Sequence, residues 1–101
     1  MNDRIQRAFE EFHRKNPQVY DQLLYLARRY HKSGRKVGIK HLWEVLRWQE
    51  FIGQLSFDVY KLNNNFTSRY ARLLMEKERE LKGYFEIRRL WPEPLDRREV
   101  G

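Results

Sequence analysis

Cysteine is missing from all 101 residues, so disulfides and thiol chemistry are excluded from the outset. Long apolar runs are missing too. None approaches the length needed to cross a membrane, and the amino end, Met-Asn-Asp-Arg-Ile-Gln-Arg, has no apolar signal core. The expected setting is therefore the cytoplasm, with no membrane partner. A third absence is local: from Asp21 to Glu44 the chain holds no acid, while Arg28, Arg29, Lys32, Arg35, Lys36 and Lys40 crowd into the same stretch. There is also no Gly-rich phosphate loop leading into Lys-Ser or Lys-Thr, and spacing places no base beside Ser33, Ser56 or Ser68.

What the chain has in quantity is positive charge and aromatic surface. Twenty-one Lys and Arg against 14 Asp and Glu leave +7, with an isoelectric point near 9.9. Three Trp, six Tyr and six Phe are enough for a small aromatic-rich core, and the length suits one domain. A basic domain of this size commonly meets a polyanion, although interspersed acids are also compatible with charge that serves only solubility.

Apolar spacing places helices along most of the chain. Ile5, Ala8, Phe9 and Phe12 give residues 2 to 14 one apolar side. Asn16-Pro17 stops that helix and starts the next, because proline forces its predecessor out of helical geometry yet fits a first helical position. Tyr20, Leu23, Leu24, Ala27 and Tyr30 mark a second helix closing at Ser33-Gly34. Ile39, Leu42, Val45, Leu46 and Gln49 mark a third, from near Gly38 to Gly53, with Trp43 and Trp48 widening its apolar surface into a candidate protein interface. Leu55 to Leu62 and Tyr84 to Leu90 alternate, and the spacing predicts two short strands that pair antiparallel or add to an edge near Val37.

The stretch that organises the reading is Lys61 to Arg88. Asn63, Asn64 and Asn65 offer side-chain oxygens to a helix start, Phe66, Tyr70, Leu73, Leu74 and Lys77 form its inner stripe, and Gly83 stops it. The other face carries Asn65, Ser68, Arg72 and Arg79, with Arg69 at its border. Amide, hydroxyl and guanidinium groups at the front of a helix hydrogen-bond to base edges and phosphates. Helices joined through a basic turn, then a polar-faced helix, then a strand is the order of a winged helix or related helix-turn-helix. The expected fold is thus one mainly α domain over 1–90 with a small antiparallel β element, followed by a tail over 91–101. On that fold Asn65, Ser68, Arg69 and Arg72 face the major groove of duplex DNA, while Lys36, Lys40, Lys61 and Arg88 meet phosphates.

Three stretches carry a resemblance: Gly-Ile-Lys-His-Leu-Trp-Glu-Val-Leu-Arg-Trp (Gly38 to Trp48), Lys-Leu-Asn-Asn-Asn-Phe-Thr-Ser-Arg-Tyr-Ala-Arg (Lys61 to Arg72) and Phe-Glu-Ile-Arg (Phe85 to Arg88). Together they resemble a family of small, largely uncharacterised bacteriophage and prophage proteins, over the span from Phe12 to Leu90. The resemblance implies a mobile-element origin and an infected or lysogenic bacterial cell as the setting. It implies no catalytic residue.

Catalysis finds little support in the residues. His41 and Glu44 have a metal-compatible spacing on one helix, but a second such pair is missing. Asp58 and Glu86 could face each other across paired strands, yet two carboxylates alone are a thin magnesium site. The reading is therefore of a non-enzymatic protein without cofactor or metal, a DNA-binding protein that is regulatory or accessory to recombination. A counter-defence protein of the anti-CRISPR type, inhibiting a host protein or ribonucleoprotein by direct binding, is the alternative suggested by Trp43, Trp48, Tyr60, Tyr84 and Trp91. A homodimer seamed by the tryptophan-bearing helix is compatible with either.

Overall fold

The computed structural model describes residues 3–58 and 63–85. Among the described residues four α-helices run in the order α1 (Asp3–Lys15), α2 (Pro17–Lys32), α3 (Ile39–Phe51) and α4 (Phe66–Lys77), followed by a 3-10 turn at Arg79–Leu81. Pro17 opens α2 as its first residue, and Asn16 is buried at the junction rather than merely interrupting it. Its side-chain amide donates to the Phe12 carbonyl (3.1 Å), and its oxygen accepts from the Asp58 backbone N–H (3.2 Å). One side chain thereby joins α1, α2 and the segment that follows α3.

Helices α2 and α3 are antiparallel. Gln22 bonds to Gln49 at 3.1 Å and the Tyr30 hydroxyl meets His41 at 3.4 Å, so residue numbers fall along one helix as they rise along the other. Helix α4 returns along α3, with Tyr70 against Trp43 (ring centroids 5.8 Å apart) and Arg47 donating to Asn64 (3.0 Å). Helix α1 closes the bundle: Phe9 packs edge-on to Tyr70 (4.8 Å) and Phe66 (5.7 Å). Val19, Leu23, Leu42, Leu46, Phe66, Tyr70 and Leu74 are all sealed at the centre. Full burial of each aliphatic side chain contributes about 1.5–3 kcal/mol.

The expected β element and winged-helix arrangement are not what the chain forms, since no strand occurs among the described residues. The 55–58 segment shows why its alternation misleads. Phe57 is buried against Phe12 (6.5 Å, edge-on), but the backbone there is satisfied by other means: the Leu55 N–H by the Gln49 carbonyl, the Asp58 N–H by Asn16. Tyr84 and Phe85 are buried in the same way, with their N–H groups directed to the Leu81 carbonyl and the Met75 sulfur. The region near Val37 is likewise non-strand. Residues 59–62 and 86–90, the rest of both expected strands, lie outside the described residues, as does the 91–101 tail. The two helices joined by the basic turn, α2 and α3, run antiparallel to each other.

Helix α4 is also shorter than expected. It ends at Lys77 because Glu78 is extended (φ −113°, ψ 111°), and Gly83, at φ 73°, belongs to the separate turn beyond. The cause is a fork on α2. Arg28 donates to Glu78 (2.7 Å) and Glu80 (2.6 Å), and the Tyr20 hydroxyl reaches Glu78 at 3.4 Å. These contacts pull the chain off the helix axis and lay the 3-10 turn on α2.

Candidate nucleic-acid interface

The start of α4 is set by its asparagines, though not in the simplest way. The Asn63 side chain accepts from the Asn65 N–H (2.8 Å), the Asn64 carbonyl accepts from the Thr67 hydroxyl (3.0 Å), and Asn65 makes no side-chain capping bond. Asn65 is consequently exposed and uncommitted. One turn on, Ser68 is half-buried, and Arg72 and Arg79 are exposed. An outward row Asn65, Ser68, Arg72 therefore exists as the spacing predicts, and it includes an acid, Glu76.

Arg69 does not belong to it. Only 9% exposed, it donates from Nε to Gln6 (2.9 Å) and from Nη1 to the Asn65 carbonyl (3.1 Å), tying α1 to the first turn of α4. Its position at the edge of the inner stripe lets the neighbouring helix claim it. Trp43 is a second correction: at 2% exposure it is core, packed on Tyr70, and offers no interface. Trp48 is 59% exposed. Lys36 and Lys40 are exposed on the turn and at the start of α3, whereas Lys61 and Arg88 lie outside the described residues.

Sequence reasoning missed how the basic segments meet. The Tyr84 hydroxyl donates to the Arg35 carbonyl, the Lys36 ammonium lies 6.0 Å from the centre of the Tyr84 ring, and His31 packs edge-on to it at 5.4 Å. Tyr84 thus fastens the segment after α4 onto the basic turn after α2. Arg79 and Lys82, upstream on that segment, share a shallow depression of about 590 Å³ with Arg72, Met75, Glu76 and Lys77. Tyr84 accordingly brings the turn that carries Arg35 and Lys36 close to the segment that carries Arg79 and Lys82, which in turn borders Arg72 on α4. None of these five makes an ion pair among the described residues. The nearby acids Glu78 and Glu80 are held by Arg28, whose guanidinium lowers the Glu80 carboxyl below its usual range.

The interior holds several buried polar atoms. His13 Nδ1, Trp43 Nε1 and Tyr70 Oη are buried without a hydrogen-bond partner among the described residues, around ring contacts of 5.7 and 5.8 Å. Burial raises the Tyr70 hydroxyl well above the ordinary phenol range and lowers His13, which Lys77 depresses further and Asp21 partly restores. Tyr20 is pushed up to about 12, by burial first and then by the Glu78 charge. A deprotonated phenol is thereby disfavoured at both sites. His41 is turned to Tyr30, and no group of three or more His, Asp or Glu able to hold a metal occurs among the described residues. Where α2 meets the 3-10 turn, Asp21, Leu24, Tyr25, Arg29, Lys32 and Glu80 line an open groove of about 790 Å³.

No helix among the described residues is long and apolar enough to cross a membrane. Comparison of the chain with family models, curated proteins and solved structures finds no match.

Proposed function

We propose that this protein binds nucleic acid, duplex DNA first, as a non-enzymatic protein of a phage or other mobile element, acting in regulation or as an accessory to recombination. The observation that carries the reading is the Tyr84 contact with Arg35 and Lys36, which brings together two basic segments distant in sequence. Unpaired cations on a rigid helical frame suit a phosphate backbone, whose counterions they release. The withdrawal of Arg69 and the presence of Glu76 on the α4 row leave few groups for base edges. Binding is therefore sequence-tolerant, with Asn65, Ser68 and Arg72 adding a modest preference.

Anisotropy of labelled duplex DNA, titrated with the full chain at low and moderate salt, tests this. Binding should weaken steeply with salt, and Lys36→Ala or Lys82→Ala should each lower the salt slope by about 1 and weaken specific and random DNA alike. Arg72→Ala should weaken a preferred sequence more than a random one. Absence of any salt-dependent binding to duplex DNA would end the proposal.

A second reading, a counter-defence protein that inhibits a host protein or ribonucleoprotein, is favoured by the groove along α2. There Tyr25 stands half-exposed with the Arg29 guanidinium 5.6 Å from its ring centre, a pairing of residue types that dominate protein-binding hot spots. Pull-down from host lysate separates the two, since a partner retained after nuclease treatment supports the second reading and loss of every partner opposes it.

A further inference from the structure

At the carboxyl end of α3 three large apolar residues face outward together: Trp48 at 59% exposure, Phe51 at 77% and Ile52 at 43%, with the two rings 5.7 Å apart. Aromatic side chains present about 150–250 Å² each, so these two leave on the order of 300 Å² of apolar surface in water. Scattered single residues need no explanation, whereas a contiguous patch of this size matches the largest apolar patch that a monomer commonly carries, which is often functional. The basic turn lies elsewhere. Lys36 and Arg35 stand beyond the other end of α3, roughly 20 Å away along a helix of 13 residues, so nucleic acid held there leaves the patch uncovered.

We propose that a second copy of this chain covers Trp48, Phe51 and Ile52, forming a two-fold dimer through the last turns of α3. Charge selects the occupant. Helix α3 is the one helix of the four whose basic residues, Lys40 and Arg47, are balanced by acids, Glu44 and Glu50. In α2 and α4 Lys and Arg outnumber the acids, and α1 also has one more basic residue than acidic. A chain of charge +7 repels its own copy over most of its surface and least along this element. An acidic partner, by contrast, would gain more on any other helix. Arg47 is moreover turned away to Asn64.

Geometry agrees with self-pairing. Two copies of α3 crossed antiparallel near Gln49 set Trp48 of each against Phe51 and Ile52 of the other, an isologous contact. Half-buried Gln49, bonded to Gln22, and the acids Glu44 and Glu50 of the same helix supply a polar rim. The apolar centre is well below the roughly 800 Å² per partner of a standard stable interface, so the dimer is a weak, reversible one. The two basic turns then sit at the far ends of the pair, where their repulsion is smallest.

Sedimentation of the full chain over roughly 10 to 500 µM tests the proposal, independently of nucleic acid. The mass should rise from one chain towards two, and added salt should leave or strengthen the association, as an apolar seam requires. Trp48→Ser and Phe51→Ser should each weaken it about tenfold or more while far-ultraviolet circular dichroism stays helical, and Arg35→Ala should leave it unchanged. A wild-type chain that stays monomeric throughout, or an association indifferent to both serine substitutions, overturns the proposal.

Discussion

Arg69 and Arg72 stand one turn apart on α4, and the difference between them is a matter of which side of a neighbouring helix each meets. The Arg69 guanidinium is buried between Gln6 and the Asn65 carbonyl. Removing it deletes two hydrogen bonds from a cationic donor, whose acceptors on exposed Gln6 and Asn65 can turn to water, so Arg69→Ala should lower stability by about 1 kcal/mol in urea unfolding while the folded variant keeps its affinity for DNA. Arg72→Ala, at an exposed site, should do the reverse. The sequence gives the periodicity that places Arg69 at a border, but its acceptor lies 63 positions away, which no local spacing discloses. His13 adds a pH dependence. Its folded pKa is lowered, by burial first and by Lys77 second, with Asp21 opposing. Between that lowered value and the ordinary 6.5, the unfolded chain takes up more proton than the folded one. Stability from this group is therefore complete above about 6.5 and declines as pH falls through the folded pKa. Unfolding followed from pH 7.5 to 5 should show the decline, and His13→Leu should flatten it; an unchanged slope would clear His13 of the effect.

Elements were legible where one face decided them and illegible where a side chain intervened. All four helices follow from apolar spacing, and the stop of α3 at Gly53 follows from residue type: Gly53 has φ 80°, with its N–H donated to the Glu50 carbonyl. A Cβ there would meet nothing within 4 Å, so the cost of Gly53→Ala is that of the left-handed backbone alone, about 1–2 kcal/mol. Gly38 precedes α3 at φ −82° with equal space, and Gly38→Ala should be close to neutral. Thermal melts of the two variants check the contrast. The β element was misread because Phe57, Tyr84 and Phe85 are buried as strand residues would be, while the N–H groups of Asp58, Tyr84 and Phe85 go to Asn16, Leu81 and Met75. Alternation reports burial of side chains; it does not say what the intervening N–H groups bond to. The same blindness lengthened α4, since the Arg28 fork that ends it comes from another helix.

At the scale of the whole molecule, the acid-free stretch from Asp21 to Glu44 already announced a positive region, and its exposure at Lys36 and Lys40 fits that reading. That Arg79 and Lys82 join it was not announced, because the join is made by a tyrosine hydroxyl on a backbone carbonyl, an interaction any tyrosine could make with any residue. Charge and aromatic surface are thus divided between opposite ends of α3, a polyanion suiting one and an uncharged face the other. The two tryptophans of α3 are divided likewise, Trp43 sealed at 2% exposure and Trp48 open at 59%. Indole emission shifts to the red in water and is quenched by dissolved iodide only where iodide can touch the ring. The helix consequently carries two intrinsic lamps of different colour, one dimmed only when the interior opens and the other shaded when something settles on the surface.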